Sequence, residues 1–463
     1  RRVLDHARRR AAGIRERQVA VQDLAARPDF SHRFQALGQG KMETTTEPES
    51  VLNWLKEPVF LIKSPFYRVA IVLLPLLLLL SLLGWIAGSW ESFAVLRPVF
   101  SGRLPLLFIV INLLLAGIQL LRTNNQQAQL GNKSRTLNKY ATLLAIIESE
   151  GFTAPRLLAL RQQLQDGNHM ASQAIDRLAD IMAFLDQRLN MVAGILLNAL
   201  LIWDLQCISR LEKWKVRHRE KLAQWLEVVG ELDALNSLGR FAYKDPTLVF
   251  PEVLDGDFRM EALQLGHFLI AAEKRVCNDV DIRKPGEFLV ITGANMAGKS
   301  TFLRTVGVNL VLAMSGAPVC AKAFSFAPIP IMTSVRATDS LEDNESYFYA
   351  ELLRLKAIID RLRESGRLFT IVDEMLRGTN SHDKQTGSRK FIEQLMHSGG
   401  AGLIATHDLS LGTLADEYPE FIRNKRFEVD ILNDHLEFDY KLKDGISQNL
   451  NATFLMRQMG IMP

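Results

Sequence analysis

The hydrophobic pattern of this chain changes character three times. Val69 to Gly88 is twenty residues without a charge, dominated by Leu, long enough to cross a hydrocarbon core of about 30 Å. Pro75 interrupts it, which membrane helices tolerate better than soluble ones. Leu104 to Leu121 is a second uncharged run, with only Asn112 and Gln119 strongly polar. The two runs predict a transmembrane hairpin over 66–122; the alternative for each is a buried core helix. From 123 to 245 the pattern is helical, with few Gly or Pro. Within it, "MVAGILLNALLIWDL" (191–205) has an apolar part too short to span and predicts a buried helix of a bundle. After Pro246, short β-type runs such as "FLVIT", "LFTIV" and "GLIAT" alternate with helical segments. That alternation predicts a largely parallel sheet covered by helices.

At 463 residues the chain is too long for one ordinary core. The net charge of +4 does not by itself imply nucleic acid, but its distribution is uneven. Residues 1–18 carry seven Arg against Asp5 and Glu16, which reads as a solvated helical arm or as one held against anionic lipid or nucleic acid. With the polar stretch at 38–50 it forms an arm and linker over 1–65. Six Lys or Arg between Arg210 and Lys221 read as a solvated helix face or as a surface for DNA phosphate. Lys56, Lys63 and Arg68 before the first apolar run, and Arg122, Lys133, Arg135 and Lys139 after the second, outnumber Arg97 and Arg103 between them. This asymmetry predicts a multi-pass protein of the cell membrane with both ends in the cytoplasm. Cys207, Cys277 and Cys320 are widely spaced and form no CxxC, which predicts buried thiols rather than disulfides or a zinc site.

The chemistry sits beyond residue 290. Gly293-Ala-Asn-Met-Ala-Gly298-Lys299-Ser300 fits GxxxxGK[ST] between an apolar run and a helical stretch. Glycines at these positions let backbone N–H groups turn towards phosphate oxygens, and the helix that follows offers its positive end. Asn295 and Thr301 complete the expected nucleotide contacts. Lys299 offsets phosphate charge and Ser300 ligates Mg²⁺. "LFTIVDE" adds Asp373 for the metal shell and Glu374 as general base, and "LIATHD" adds His407 as a γ-phosphate sensor. The cofactors implied are ATP and Mg.

These residues together resemble the ATPase domain of the MutS family, a branch of the ABC-type ATPases. The likeness runs over roughly 230–462 and is carried by "TGANMAGKSTFLRTVGVNLVLAMSGAPVCA", "SYFYAELLRLKAII", "IVDEMLRGTNSHD", "ATHDLSL" and "DGISQNLNATFLMRQMGI". It implies an α/β P-loop (ABC-type) ATPase domain over 246–463, preceded by a helical core and lever domain over 123–245. It also implies a homodimer through the ATPase domain, with Ser346 completing the partner's site in trans and the Asn380–Asp383 turn at the seam. Ala294 and Ala297 stand where the family usually has Pro and Gly. The family's mismatch-reading Phe-x-Glu wedge has no counterpart beyond spacing matches at Phe250 and Phe391. Two functions follow. One is a membrane-anchored dimeric MutS-like ATPase that binds DNA, mismatched or branched, and changes its clamp with nucleotide state. The other is a membrane-associated ATPase acting on a protein or lipid partner.

Overall fold

A computed structural model describes residues 11–38, 53–88, 102–130, 134–167, 169–294, 296–335, 347–376, 379–432 and 435–448. The chain divides into two compact units, Arg27–Ala234 and the combination of Arg1–Ala26 with Leu235–Pro463. The division falls inside a 42-residue helix, Trp203–Lys244.

The second of these units is α/β. Its strands are β1 (Glu252–Val253), β2 (Met260–Leu265), β3 (Asn278–Ile282), β4 (Phe288–Gly293), β5 (Ala323–Phe326), β6 (Ile331–Ser334), β7 (Phe369–Asp373), β8 (Ala401–Thr406), β9 (Ile422–Phe427) and β10 (Leu442–Asp444). Six of them form one sheet in the order β10-β9-β4-β8-β7-β6, parallel except for β10, and four form a smaller sheet in the order β1-β5-β2-β3. Every residue of β4, β7 and β8 is buried. Their runs are continuously apolar because a parallel sheet is covered on both faces. Alternate residues divide between two cores. Leu289, Ile291, Phe369, Ile371 and Leu403 meet Phe302, Leu303, Val306 and Leu310 of helix Lys299–Ser315 on one side. Phe288, Val290, Val372 and Ile404 meet Ile358, Leu362, Ile392 and Leu395 on the other, from helices Tyr347–Ser365 and Ser381–His397.

The N-terminal basic segment behaves differently from a solvated arm. Ala11–Ala25 is a helix whose Ile14 belongs to the first of these cores. Arg17 is buried and donates to the carbonyls of Met314 (3.0 Å) and Ser315 (3.2 Å) at the C-terminus of helix Lys299–Ser315. A cation at that end meets the unpaired carbonyls and the negative pole of the helix. Arg15 and Gln18 reach the carbonyls of Val253 and Pro251. Residues 1–10 and most of the 38–50 stretch lie outside the described residues.

The other unit is helical. Pro65–Gly88 is a 24-residue helix in which Pro75 is accommodated. Its Pro65–Ala87 part is long and apolar enough to cross a membrane, by length and composition. The second expected span is not straight. Helix Arg103–Ile118 ends at Gln119 and the chain bends by 55° into the next helix. Met191–Leu201, expected to be buried, instead exposes Met191, Val192, Ile195 and Leu196 while touching both of these helices. In helix Trp203–Lys244, Trp214, Lys215, His218 and Trp225 point inward. Lys215 therefore leaves the predicted basic face: its ammonium hydrogen-bonds the carbonyl of Trp54 and lies 4.6 Å from the centroid of that indole. Arg210, Lys213 and Arg217 remain exposed at helical spacing.

Candidate functional site

The register of the sheet aligns the carboxyl ends of three strands. Thr292 of β4 pairs with Thr406 of β8, and Ala405 of β8 with Asp373 of β7. Ligands of open α/β sheets gather at this edge, and the residues singled out in the sequence cluster there. Gly293 has φ +156°, and a Cβ on it would come within 2.6 Å of the Phe427 carbonyl, so only glycine fits this approach. Gly298 sits at φ +104° against the ring of Tyr440 and leads directly into helix Lys299–Ser315. Ala294 and Ala297 are both buried against the first core, and both also line the cavity beside the loop.

Lys299 is buried, and its ammonium donates to the carbonyls of Gly293 (2.7 Å) and Ala294 (2.9 Å). His407 Nε2 lies 2.8 Å from Glu374 Oε1 and 3.3 Å from Lys299 Nζ. One ring nitrogen cannot both donate to the carboxylate and accept from the ammonium. The shorter contact takes the proton, so His407 is a donor to Glu374 and only a neighbour of Lys299. The sequence suggested a phosphate sensor; the structure adds that this imidazole contacts the Glu374 carboxylate.

Glu374 has φ +54° and Leu376 φ +56°, a conformation costly for side chains with a Cβ. Two hydrogen bonds hold the turn, Glu374 N–H to the Ala405 carbonyl (2.9 Å) and Leu376 N–H to Glu351 Oε1 (2.7 Å). Asp373, one residue earlier, is 4% exposed, and both its carboxylate oxygens lack a hydrogen-bond partner. A buried carboxylate in that condition is costly unless a cation completes it. Ser300 lies in the first turn of the helix after the loop. No group of three or more His, Cys, Asp or Glu that could hold a metal occurs among the described residues. Asp373 and Ser300 thus fit an ion that takes its other ligands from phosphate and water, the usual condition of Mg²⁺.

A cavity of about 460 Å³ opens beside the loop, within the range of nucleotide-sized ligands. Lys299, Ser300, Thr301, Glu374 and His407 line it, together with His267, Ile270 and Tyr440. The sequence reading missed these last three. His267 stacks on Phe268 with 5.6 Å between ring centroids, and burial, with Arg304 and Arg275 nearby, holds it below the usual imidazole range. These residues belong to no local motif and reach the loop only through the fold.

Asn295, Ser346, Arg377 and Gly378 lie outside the described residues. Helix Tyr347–Ser365, which follows Ser346 directly, supplies Glu351 to the Glu374 turn. Asn380 caps helix Ser381–His397 by accepting from Asp383 N–H. Cys207 and Cys320 are buried and Cys277 half-buried, all as free thiols; burial raises the Cys320 pKa.

Residues 289–456 match the family model of MutS domain V. The DNA mismatch repair protein MutS of Thermotoga maritima is 29% identical over 249 residues, which are 53% of this chain and 30% of that protein. Its namesake from Staphylococcus haemolyticus is 31% identical over 251 residues, 52% of this chain and 28% of the relative. The human MutS protein homolog 4 is 29% identical over 201 residues, 42% of this chain and 21% of that protein. The chain thus spans less than a third of the length of each of these relatives.

Proposed function

The chain belongs to the MutS family, and on that footing we propose that it is a membrane-anchored ATPase that works as a homodimer on DNA. One observation carries the ATPase reading: Lys299, Asp373, Glu374 and His407 meet at the carboxyl edge of one sheet, beside a glycine-bounded loop and a nucleotide-sized cavity. In this reading the N–H groups of the 293–298 loop and the ammonium of Lys299 hold the β- and γ-phosphates of ATP. Glu374 takes the proton of the attacking water, and His407 keeps its carboxylate aimed. Asp373 and Ser300 hold Mg²⁺, which when bound draws charge from the phosphate oxygens. Ser346 of a second copy, the residue before helix Tyr347–Ser365 in sequence, completes the site.

DNA enters the proposal from the names of the relatives and from Arg210, Lys213 and Arg217, which share an exposed helix face. Anchoring is supported by helix Pro65–Ala87. Phe66 and Tyr67 stand at its start and Trp85 near its end, as aromatic residues do at the two surfaces of a bilayer. The eighteen steps from Tyr67 to Trp85 rise about 27 Å, close to one hydrocarbon thickness. With helix Arg103–Ile118, which packs against this one, as the return span, both ends of the hairpin lie in the cytoplasm and 89–103 outside.

The test is ATP turnover by detergent-solubilised protein, measured with titrations of duplex, branched and single-stranded DNA at several salt concentrations. Turnover abolished in Lys299→Ala and Glu374→Gln, and DNA affinity that falls steeply with salt, are the expected results. Turnover without DNA binding at low salt would favour the reading in which the ATPase acts on a protein or lipid partner.

A further inference from the structure

Helix Met191–Leu201 was expected inside a bundle, yet its residues Met191, Val192, Ile195 and Leu196 are 77%, 69%, 51% and 57% exposed. They share one face, and Asn198 is the helix's one strongly polar residue. The helix's buried residues are Gly194, Asn198 and Ala199. A helix on a water surface presents polar residues outward; this one does the reverse.

The ends of the helix are handled as lipid requires. Hydrocarbon supplies no hydrogen bonds, so backbone groups there need partners from the protein. The last carbonyls of a helix have none within it. Here the Asn198 carbonyl accepts from Ile202 N–H (3.1 Å), Ala199 from Asn112 Nδ2 (2.8 Å) and Leu201 from Gln206 Nε2 (2.7 Å). At the other end, Asn190 Oδ1 caps Ala193 N–H at 3.2 Å. The nearest charges, the mostly covered Arg188 and the buried Asp204, form a 3.2 Å ion pair, and Asp204 N–H donates to Asn198 Oδ1.

Depth follows from Asn112, which lies in the middle of helix Arg103–Ile118. Gln119, seven residues on, bonds Tyr67 at the start of the apolar helix Pro65–Gly88. Seven residues rise about 10 Å, so Ala199 sits that far below the level of Tyr67. At eleven residues the helix is about 16 Å long, half of what a crossing needs.

We propose that Met191–Leu201 is embedded in the same leaflet as Tyr67, beside the two spans and without crossing, its Met191–Val192–Ile195–Leu196 face covered by lipid acyl chains. This rests on the membrane reading above and extends it from a hairpin to a three-helix insertion. It also places the start of helix Trp203–Lys244 at the membrane.

The test uses the full chain with Cys207, Cys277 and Cys320 replaced by Ala. A single bimane-labelled cysteine is placed by Leu196→Cys, by Val192→Cys as a second position, or by Leu79→Cys within the first span. Each protein is reconstituted into phosphatidylcholine vesicles with or without brominated acyl chains. Bromolipid quenching at 192 and 196 within about twofold of that at 79 is expected, since all three would lie at acyl-chain depth. Quenching at 79 alone would overturn the proposal and leave the anchor standing, whether water or a second copy of the chain covers the face. Quenching at none of the three would overturn both.

Discussion

The strands β4, β7 and β8 and the helices Pro65–Gly88 and Met191–Leu201 are built from the same kinds of residue, and they are buried in opposite ways. Each residue of the strands is enclosed by protein. In the two helices Val72, Leu79, Leu83, Val192 and Leu196 face outward. A continuous apolar run therefore says that water is excluded and leaves open what excludes it. Around the strands the excluder is visible: two layers of helices whose residues alternate with the strand's own. Around the helices nothing in the described residues covers the outward side, and polar side chains turn inward to satisfy carbonyls. In the proposal above, the apolar sheet serves a reaction site at its edge, and the apolar helices serve a location.

The largest effects belong at the sheet edge. Glu374→Gln keeps the shape but loses the basic oxygen held by His407, so steady-state turnover should fall about 10²- to 10⁴-fold with ATP binding retained. Lys299→Ala should lose binding itself, because the cation beside the phosphate loop is gone; nucleotide titration separates the two. Undiminished hydrolysis in the Gln variant would move the general base elsewhere and separate the edge from its assigned chemistry.

Two leucine truncations set the regions directly against each other. Leu303 is fully buried beneath the sheet, so Leu303→Ala should destabilise its unit by about 2–5 kcal/mol. Leu79 is 53% exposed, and Leu79→Ala should leave the denaturation midpoint of the reconstituted protein nearly unchanged. A comparable loss at both positions would mean that protein, not lipid, covers the apolar helix.

Arg17→Ala should cost about 1.5–3 kcal/mol in the unfolding of the α/β unit, since two charge-assisted hydrogen bonds to Met314 and Ser315 are lost from a buried helix end. Chemical denaturation followed by fluorescence measures it. No change would show that helix Ala11–Ala25 is not held by this contact.

The sequence made the strands, the 293–300 loop, Asp373, Glu374 and His407 legible, because each depends on a short run whose spacing carries its own physics. It could not show that Ile14 belongs to a core formed nearly three hundred residues away. It could not show that Lys215 turns inward while its five Lys and Arg neighbours offer no sign of it, since only the positions of Trp54 and Trp214 decide that. Tyr440 and His267 were invisible for the same reason: they meet the loop through sheet connections. The misreading of Met191–Leu201 has a different cause. Eleven residues, Asn198 among them, are too few to register as a span, and periodicity cannot distinguish a protein-covered face from a lipid-covered one. Its side-chain caps and outward leucines become visible only with coordinates.

The smallest effect tests the link between helices Arg103–Ile118 and Met191–Leu201 most finely. Asn112 donates to the Ala199 carbonyl through Nδ2, while its Oδ1 is buried without a hydrogen-bond partner. Asn112→Leu removes a bond to a carbonyl near the helix end and at the same time removes a stranded acceptor. The first change destabilises and the second offsets it. Side-chain hydrogen bonds between membrane helices contribute on average only about 0.6 kcal/mol, so the net loss should be below about 1 kcal/mol. Asn112→Asp should be far worse, because it replaces the donor with an acceptor facing a carbonyl and brings a charge towards hydrocarbon. Denaturation of the reconstituted protein would give both values. Near-equal effects of Leu and Asp would place Asn112 in contact with water, and with it the end of helix Met191–Leu201.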